Sequence, residues 1–352
     1  MAISNKDIYI DITDDMLHHV NVLFGGRGIG KTFSVLKHRI ENAYKDESGM
    51  SKFIWLRDSD VVVKKIAAGN SLSKPIERIY PDFPHIEIKK QDGNYIFAEL
   101  DEEGKIVKEI GYLMSLSTFH NARGINYDEV NCIVWDEFIP EDGAVIKNAN
   151  MQGTIYSNMY ESVNRNREIE TKEHKAAEPV TMIFLSNTND IFSDVLQSLG
   201  LDKIIEHMQF NELSSYKDED VWIEFFSNQA FYDAKKDTLL YRLSNNPKFK
   251  NMALNNQFNN SLALIKPDVK LKGSMGLLNL DSKYVLIQLA DGSLYWKVGQ
   301  HKKLQNYDMN NDQEALLFRY LFTDKLRIHY IAGEMFFDSI YTQKNILDYA
   351  RM

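Results

Sequence analysis

Residues 25–32 read GGRGIGKT and match the phosphate-binding pattern G-x-x-x-x-G-K-[ST] at every fixed position. The glycines of such a loop let successive backbone amides turn inward and bind phosphate oxygens, next to the positive end of a helix. In this pattern Lys31 reaches the β- and γ-phosphates, and the Thr32 hydroxyl is a Mg²⁺ ligand. The loop therefore predicts a nucleoside triphosphate site made of Gly25, Gly26, Arg27, Gly28, Ile29, Gly30, Lys31 and Thr32.

A second segment, residues 133–137, is an apolar run that ends in two carboxylates, Asp136 and Glu137. After a phosphate-binding loop, Asp136 is expected to hold Mg²⁺ through water, as the acid of a Walker B strand does. Glu137 is expected to polarise a water molecule for in-line attack on the γ-phosphate. The pair favours hydrolysis over phosphoryl transfer to a small molecule. The alternative interpretation is an ordinary acidic strand end.

Asn187 follows another apolar run and is expected to sense the γ-phosphate, because the ends of parallel strands converge on the ligand. The stretch NTND at 187–190 also resembles the guanine-recognition pattern N-K-x-D. It lacks the lysine, and no D-x-x-G precedes it. A GTPase therefore remains a lesser alternative.

Two arginines, Arg165 and Arg167, stand in the short stretch NRNRE that precedes this run. Arginines in such a turn are by default surface charges or phosphate clamps. In ring-forming ATPases, however, one subunit offers an arginine to the γ-phosphate of its neighbour, where the planar guanidinium stabilises transition-state charge. The spacing by itself does not decide between these roles, or between the two arginines.

The elements around these groups follow the pattern of an α/β fold. Over the first 190 residues, apolar strands alternate with helical segments, as expected for a mostly parallel sheet. Residues 85–113 resemble a hairpin insertion with a tight turn at Asp92 and Gly93, and residues 283–299 form a second hairpin pattern. The expected strands are Val20–Phe24, Lys52–Arg57, Asn131–Trp135 and Val180–Leu185, and the expected helices run from Phe33 to about Tyr44 and over Ile155–Asn164.

Composition limits the class of protein. A chain of 352 residues favours two domains, and its net charge of −9 argues against a protein that coats nucleic acid by bulk charge. The charge is uneven, because residues 230–352 carry 17 Lys and Arg against 12 Asp and Glu. This basic part could contact a polyanion, or it could be an ordinary solvated surface.

Features linked to location point to the cytoplasm. The single cysteine, Cys132, lies in an apolar run, where we expect a small buried residue that forms no internal disulfide. No run of about 18 apolar residues is present, so we expect no membrane span. The acidic N-terminus lacks the basic and apolar regions of a secretory signal.

The motifs GGRGIGKT, WDEFIP, NRNRE and FLSN, in this order, closely resemble the genome-packaging (encapsidation) ATPases of small tailed phages of the phi-29 type. That family carries G-A-R-G-I-G-K-S, F-D-E-F-I, F-R-N-R-E and C-L-S-N at these places, and Arg27 inside the loop adds specificity. The stretch NNQF at 255–258 is similar to the family's D-N-Q-F. The resemblance covers nearly the whole chain, firmly to about residue 190 and loosely beyond.

The resemblance implies a P-loop ASCE ATPase domain over residues 1–229, a linker over 230–259 and a small α+β domain over 260–352. The last is similar to the RNase H-like nuclease of larger terminases, without its catalytic acids. The implied function is ATP-driven translocation of double-stranded viral DNA into a prohead by a homomeric ring, typically a pentamer, at the portal. A small structural RNA is an implied partner of the C-terminal domain. The implied location is the host cytoplasm and transiently the portal vertex, with absence from the mature virion.

The resemblance assigns Arg165 as the catalytic arginine that acts on the neighbouring subunit, with Arg167 as the fallback. DNA-contact residues transfer less directly, because RDSD at 57–60 replaces a more basic stretch of the family. Our candidates for DNA contact are Arg123 first, then Lys64, Lys65 and Lys147, and the alternative for each is a solvated cation. Arg57 is a candidate nucleotide or neighbour contact, and Tyr9 a candidate for stacking on adenine.

Two other functions remain open. One is a large terminase with a working nuclease, which needs three or four converging acids. We expect no nuclease activity, because the turn at Asp291 and several predicted loops hold the available acids. The other is a nucleotide-gated switch that binds a partner without translocating it, which would prefer GTP and ignore DNA. The available acids are Asp281, Asp291, Asp308, Asp312, Asp324 and Asp338.

Overall fold

The computed structural model describes residues 9–80, 84–117, 127–139, 151–172, 175–187, 193–243 and 262–352. The chain divides into two compact units, Met1–Asn259 and Asn260–Met352. The expected ATPase domain over residues 1–229 and the expected C-terminal domain over 260–352 stay predictions. How far a linker extends within residues 230–259 stays a prediction.

The first unit contains a nine-stranded sheet with helices among its described residues. Its strands are β1 (Val20–Gly25), β2 (Lys52–Arg57), β3 (Ile86–Gln91), β4 (Asn94–Leu100), β5 (Ile106–Ser115), β6 (Val130–Asp136), β7 (Thr181–Ser186), β8 (Ser215–Lys217) and β9 (Val221–Phe226). Its α-helices are α1 (Lys31–Lys45), α2 (Asp60–Gly69), α3 (Lys74–Ile79), α4 (Gln152–Asn164), α5 (Asp194–Ser198), α6 (Asp202–Phe210), α7 (Gln229–Lys236) and α8 (Leu239–Leu243).

The sheet order is β3-β4-β5-β2-β6-β7-β1-β9-β8. The six central strands, from β5 to β9, pair in parallel, and each side of this core ends in antiparallel strands. Strand β7 lies between β1, which leads into the phosphate-binding loop, and β6, which ends in the two carboxylates. This inserted strand is the arrangement that the ASCE class requires, so the predicted mostly parallel α/β fold is confirmed.

Strand β9 is a core strand that the sequence pattern did not predict. It pairs in parallel with β1 along its whole length, from Val20 opposite Val221 to Gly25 opposite Phe226. The polar residues before it form β8 and the turn of a hairpin, in which Asp218 accepts hydrogen bonds from the backbone of Asp220 and Val221.

The predicted hairpin insertion is confirmed. Strands β3 and β4 pair antiparallel around Asp92 and Gly93, which both have positive φ, 49° and 87°. Two consecutive positive φ angles define the type I′ turn, whose twist matches that of the flanking strands. Strand β5 then pairs with β4 on one side and with β2 on the other, so the insertion extends the main sheet.

Apolar and aromatic side chains fill the space around β6. Trp135, fully buried, stacks on Tyr156 of α4 with ring centroids 5.3 Å apart, and Phe184 of β7 packs against Tyr156 at 5.0 Å. Cys132 on the same strand is buried and unpaired, as predicted. Buried aromatic clusters of this kind stabilise a core beyond their apolar area. They hold β6 and β7, which carry two of the candidate site residues.

The second unit is a small α+β unit with a five-stranded sheet of order β13-β10-β11-β12-β14. Strands β11 and β12 form the hairpin predicted over 283–299. The N-terminus of α9 is capped by Asn311, whose side chain accepts hydrogen bonds from two backbone amides. The elements are β10 (Met275–Leu280), β11 (Tyr284–Gln288), β12 (Leu294–Val298), β13 (Asn306–Tyr307), α9 (Asp312–Ile331), β14 (Met335–Phe337) and α10 (Ile340–Ala350).

None of the helices in the described ranges combines the length and the apolar character needed to cross a bilayer.

Strand β5 packs tightly against β2 at Gly111, and a substitution there tests this register. A Cβ added to Gly111 would lie 2.6 Å from the backbone oxygen of Phe53, which cannot move aside because β2 is paired on both sides. We expect Gly111→Ala to lower the free energy of unfolding by about 1–3 kcal/mol. Urea denaturation followed by tryptophan fluorescence measures the change.

Gly69→Ala is the matched control, because the nearest atom to a Cβ on Gly69 is 3.9 Å away. Its free energy of unfolding should stay within about 0.5 kcal/mol of wild type. Equal stability of the two variants would contradict the close approach of β5 to β2.

Candidate nucleotide site

The phosphate-binding loop joins β1 to α1 through two glycines in left-handed conformations, Gly28 with φ of 89° and Gly30 with φ of 99°. Side chains at these positions would be strained, so the sequence needs glycine there. Lys31 is the first residue of α1, and its ammonium donates to the carbonyl oxygens of Gly25 at 2.6 Å and Gly26 at 3.3 Å. The loop thus wraps around its own lysine.

Lys31 is buried where several charges meet. Burial lowers the pKa of its ammonium to about 8, and the carboxylates of Asp136 and Glu137 oppose this shift. Its Nζ also donates to Oδ1 of Asn187 at 3.3 Å. A partly desolvated ammonium gains stability when an anion is placed beside it. The end of β7 and the phosphate-binding loop therefore place their polar groups around one position, and this position suits phosphate oxygens.

Thr32 and Asp136 supply two oxygen atoms that lie together. The Thr32 hydroxyl donates to Oδ1 of Asp136 over 3.0 Å, and the Asp136 side chain is almost completely buried. Mg²⁺ prefers oxygen ligands and commonly takes one or two protein oxygens together with phosphates and water. The residues present fit this ion.

Glu137 and Asp136 share one cation, Arg57. The guanidinium of Arg57 donates from Nη1 to Oδ2 of Asp136 at 2.6 Å and from Nη2 to Oε2 of Glu137. Arg57 ends β2, the parallel neighbour of β6, so the pairing of Leu56 with Trp135 brings the two strand ends level. Glu137 has a positive φ of 58°. This unusual backbone turns its carboxylate toward Arg57 instead of along the strand.

A pocket of about 790 Å³ extends from these groups, and aromatic side chains line it as well. Phe33 and Tyr80 stack at a centroid distance of 6.2 Å, and Tyr9 approaches the backbone of Gly30. The backbone of Ile10 donates to the Ile29 carbonyl, which ties this N-terminal segment to the loop. Aromatic faces beside a phosphate site suit a nucleobase, so Tyr9 lies where a stacking residue could act, together with Phe33 and Tyr80.

Lys235 contacts the loop from α7, which begins at the predicted end of the ATPase domain. Its ammonium donates to the carbonyl oxygen of Arg27 and lies over the rings of Phe231 at 4.7 Å and Tyr241 at 5.3 Å. Burial, and secondarily the charge of Arg27, lowers the pKa of Lys235. Both Arg27 and Lys235 thus bring positive charge to the loop, and Arg27 also lines the pocket.

The two candidate arginines lie far from their own phosphate site. Arg165 follows α4 with a positive φ of 47°, and Arg167 donates to the carbonyl oxygens of Asp128 at 3.2 Å and Val130 at 3.0 Å. Val130 begins β6 and Asp136 ends it. A strand of this length spans about 20 Å. Both arginines therefore lie near the start of β6, at the end of the strand opposite to Asp136. The guanidinium of Arg167 thus already donates hydrogen bonds to two backbone carbonyl oxygens.

The predicted DNA-contact residues are only partly within the described chain. Lys64 and Lys65 are exposed on α2, where Lys64 pairs with Asp60 at 2.6 Å. Arg123 and Lys147 lie outside the described residues, and so does the NNQF stretch at 255–258. Their roles stay predictions.

A family model described as podovirus DNA encapsidation protein (Gp16) matches residues 6–272, which is most of the chain. The chain belongs to this Gp16 family. Among curated members, the DNA packaging protein of Bacillus phage B103 is 28% identical over 243 residues, which are 68% of this chain and 64% of that protein. The DNA packaging protein of Bacillus phage phi29 is 24% identical over 242 residues, 68% of this chain and 62% of that protein. The match thus spans less than two thirds of either relative.

Solved structures support the Gp16 fold over both units. A structure of the phi-28 gp11 DNA packaging motor has a TM-score of 0.57 at 18% identity, over 96% of this chain and 95% of that chain. The bacteriophage phi-29 viral genome packaging motor assembly has a TM-score of 0.60 at 16% identity, over 98% and 99%. At such identities the likeness concerns the fold, and the site rests on the geometry above.

Several contacts in this Gp16 member are not evident from the sequence alone. The sequence does not indicate the partner of Arg57, and Lys235 falls in the predicted linker. No local pattern marks either one, because their partners are about 80 and 200 residues away in the chain. The aromatic pair of Phe33 and Tyr80 could have been suspected, since Phe33 directly follows the GKT of the loop.

Asp58, next to Arg57, gives a pH-dependent test of this region. Burial raises the pKa of its carboxyl to about 6, although Trp135 Nε1 donates to it at 3.2 Å. The folded state thus binds the proton more tightly than the unfolded chain, and stability falls as pH rises from about 4 to 6. Asp58→Asn keeps an acceptor for Trp135. We expect it to raise the free energy of unfolding at pH 7 by about 1–3 kcal/mol, with no gain below about pH 4.

Asp46 provides a control of opposite sign. Hydrogen bonds from Ser48 and Ser51 lower the pKa of its half-buried carboxyl to about 2, so its charge stabilises the folded state above about pH 4. Asp46→Asn should therefore lose stability at pH 7. Urea unfolding between pH 3 and 8 measures both variants, and a pH-independent effect at Asp58 would contradict a buried carboxylate.

Proposed function

We propose that this protein is an ATP-hydrolysing motor subunit that moves double-stranded DNA into a phage prohead. The observation that carries the proposal is the contact of Thr32 with Asp136 beside Lys31 and Glu137, in one pocket. These are the groups that bind and hydrolyse a nucleoside triphosphate in P-loop ATPases. The named relatives are DNA packaging proteins, which supports DNA as the cargo.

In the proposed reaction, the loop amides and Lys31 bind the β- and γ-phosphates of ATP, and Arg27 adds positive charge. Thr32 and Asp136 would hold Mg²⁺, which when bound would neutralise charge that develops on the phosphates. Glu137 accepts hydrogen bonding from the attacking water and orients it. Asn187, which accepts a hydrogen bond from Lys31, is placed to lose or gain a partner when the γ-phosphate leaves. The conformation at the end of β7 would then depend on whether the γ-phosphate is present.

A catalytic arginine must come from elsewhere in this proposal. Arg165 lies about 20 Å from its own phosphate site, at the opposite edge of the sheet. It can therefore reach a γ-phosphate only on a neighbouring subunit, which makes a homomeric ring the functional unit. A pentamer is the expected size. Arg167 is the weaker candidate, because it binds the backbone at Asp128 and Val130.

Mixing two inactive variants tests the shared site. Arg165→Ala should lower DNA-stimulated ATP turnover by about 10³-fold or more, as loss of an arginine finger does, and Glu137→Gln should also be inactive. Mixed subunits should regain turnover that neither variant has alone, because an intact arginine then meets an intact Glu137. Steady-state phosphate release measures this.

The control is Arg167→Ala. It should lower the thermal unfolding midpoint, whereas the ATP turnover of the protein that remains folded should change little. Failure of the mixture to regain any turnover, while each variant still binds ATP, would place Arg165 outside the neighbour's site.

Base stacking gives a second test of the pocket. Tyr80→Ala removes a ring that packs on Phe33 and lines the pocket, and stacking on a base is worth about 1–3 kcal/mol. We expect the KM for ATP to rise about 5-fold or more with kcat nearly unchanged, and a similar rise for GTP. Tyr80→Phe keeps the ring and should retain the wild-type KM. A fall in kcat alone would contradict a role in binding the base.

The proposed DNA contacts are non-specific and made to phosphates. Lys64 and Lys65 on α2, with Arg123 and Lys147, are the proposed contributors, so DNA stimulation should weaken with salt. The proposed partners of the second unit are the portal and a structural RNA. One face of α9 supports contact with another macromolecule, because an exposed apolar stripe runs along it. The stripe consists of Leu316, Leu317, Tyr320, Leu321, Ile328 and Ile331.

We propose that the second unit is a vestigial, RNase H-like domain without nuclease activity. Asp281 accepts hydrogen bonds from Asn310 and Tyr349, and Asp338 accepts one from the Val298 amide. These carboxylates have structural partners. Across the described residues no cluster of three or more His, Cys, Asp or Glu is suited to hold a metal ion. Endonuclease activity lost in Asp281→Asn would instead favour a large terminase, and GTP preference without DNA stimulation would favour a nucleotide switch.

The proposed site of action follows from these partners. The subunit would work in the host cytoplasm at the portal vertex of the prohead and leave before the virion is mature.

A further inference from the structure

Lys235 contacts the phosphate-binding loop from outside the nucleotide pocket. Its ammonium donates to the carbonyl oxygen of Arg27. Arg27 and Gly28 line the pocket, whereas Lys235 is not part of the lining that the described residues form. The loop is therefore contacted by two lysines from different sides, because Lys31 donates to two other loop carbonyl oxygens from within the pocket.

The contact of Lys235 sets the direction of one backbone amide. The peptide between Arg27 and Gly28 is planar and trans, so its carbonyl and its N–H point in opposite directions. A donor that holds the carbonyl oxygen outside the pocket therefore directs the Gly28 N–H into it. Inward-facing amides of this kind bind phosphate oxygens in a glycine-rich loop. Gly28 has a φ of 89°, and glycine changes readily between left- and right-handed conformations, so this peptide plane needs a contact that fixes it.

The pairing of β9 with β1 places α7 beside the loop. Gly25, where the loop begins, lies opposite Phe226, the last residue of β9. Shortly after β9, the side chain of Asn228 caps α7 by accepting a hydrogen bond from the backbone amide of Phe231 at 3.1 Å. The sheet that carries the loop therefore also fixes the start of the helix that carries Lys235.

Aromatic rings hold the ammonium of Lys235 in place. It lies over the ring of Phe231 at 4.7 Å and over that of Tyr241 at 5.3 Å, and both rings are buried. The face of an aromatic ring attracts a cation, more strongly where water is excluded. The Nζ atom lies 3.6 Å from the point that a Cβ on Gly28 would occupy. The rings and the helix thus hold this cation against the peptide between Arg27 and Gly28.

We propose that Lys235 is a positioning residue for the nucleotide phosphates, which holds the Arg27 carbonyl oxygen outside the pocket and so keeps the Gly28 amide directed toward them. It makes no contact with the nucleotide in this role. It shapes the loop before the ligand arrives, which lowers the ordering cost of binding. The inference rests on the proposed ATPase function, and it gives α7, most of which falls in the predicted linker, a part in nucleotide binding.

The test is the affinity of the full-length protein for ADP with Mg²⁺, which does not depend on turnover. Lys235→Met keeps an apolar chain over the two rings but cannot donate to the carbonyl oxygen. Its Kd for ADP should rise on the order of tenfold, because a hydrogen bond from the loop to a charged phosphate is lost or weakened. Isothermal titration calorimetry measures the change. Lys235→Arg keeps a donor and should restore most of the affinity.

Lys236→Met is the matched control, because Lys236 is the next residue of α7 and pairs with Asp233 at 2.6 Å. Its Kd for ADP should equal that of wild type. Adenosine, which has no phosphate, is measured by competition and should bind equally well to Lys235→Met and to wild type. If Lys235→Met weakens the binding of ADP and adenosine by the same factor, Lys235 shapes the whole pocket and the proposal is overturned.

Salt dependence and hydrogen exchange separate positioning from simple charge. If Lys235 acts only as a positive charge near the phosphates, the difference in Kd between Lys235→Met and wild type should vanish at high salt. If it positions the loop, the difference should persist. The amides of residues 25–32 should then exchange faster in Lys235→Met than in wild type when both are saturated with ADP. A difference that vanishes with salt, together with unchanged exchange, overturns the proposal.

An unchanged Kd in Lys235→Met, with a lower unfolding midpoint, also overturns the proposal and leaves Lys235 a structural residue. If Lys235→Met does not fold, Lys235→Leu, which is also apolar, takes its place with the same expected result. A wild-type protein that binds no ADP at all would instead reject the ATPase function itself, so the two failures are distinguishable.

Discussion

Parallel strands that end side by side bring charged side chains close together, and all of those in the first unit except Glu137 are largely buried. In the first unit, the ends of β1, β2, β6 and β7 bring Lys31 and Arg57 against Asp136 and Glu137. A single buried charge of this kind costs several kcal/mol, whereas a balanced set of two cations and two anions offsets most of that cost. The rest of the site depends on this balance, because Thr32 and Asn187 contact two of its members, Asp136 and Lys31.

The same constraint explains why the site combines rigid and strained parts. Gly28 and Gly30 adopt left-handed conformations at no steric cost, so the loop is shaped before a phosphate arrives. Glu137 adopts a positive φ as well, but it has a side chain, and such conformations cost of order 1–3 kcal/mol unless the surroundings enforce them. The contact with Arg57 is such an enforcement.

Much of the fold could be predicted because local patterns of apolar and polar residues indicate its strands and turns. Alternating apolar runs predicted β3 and β4 and the turn between them, and continuous apolar runs predicted β1, β2, β6 and β7 within one or two residues. Strand β9 was missed although its run VWIEFF is apolar, because its pairing with β1 joins segments about 200 residues apart in the chain. The contact of Lys235 with the loop was missed for the same reason, since α7 meets the loop only in the folded chain.

The sequence by itself determined the phosphate-binding loop, the acidic strand end and the family, because each depends on residue types at short, fixed spacing. A glycine-rich loop before a helix, or two acids after an apolar strand, indicates its chemistry from residue types alone. Only the tertiary structure decided which cation faces which carboxylate. The order of strands in the sheet set Arg57 beside Asp136, and the return of α4 to the start of β6 placed Arg165 away from its own phosphate-binding loop. Strand order is a property of the whole packed sheet, and no local segment encodes it.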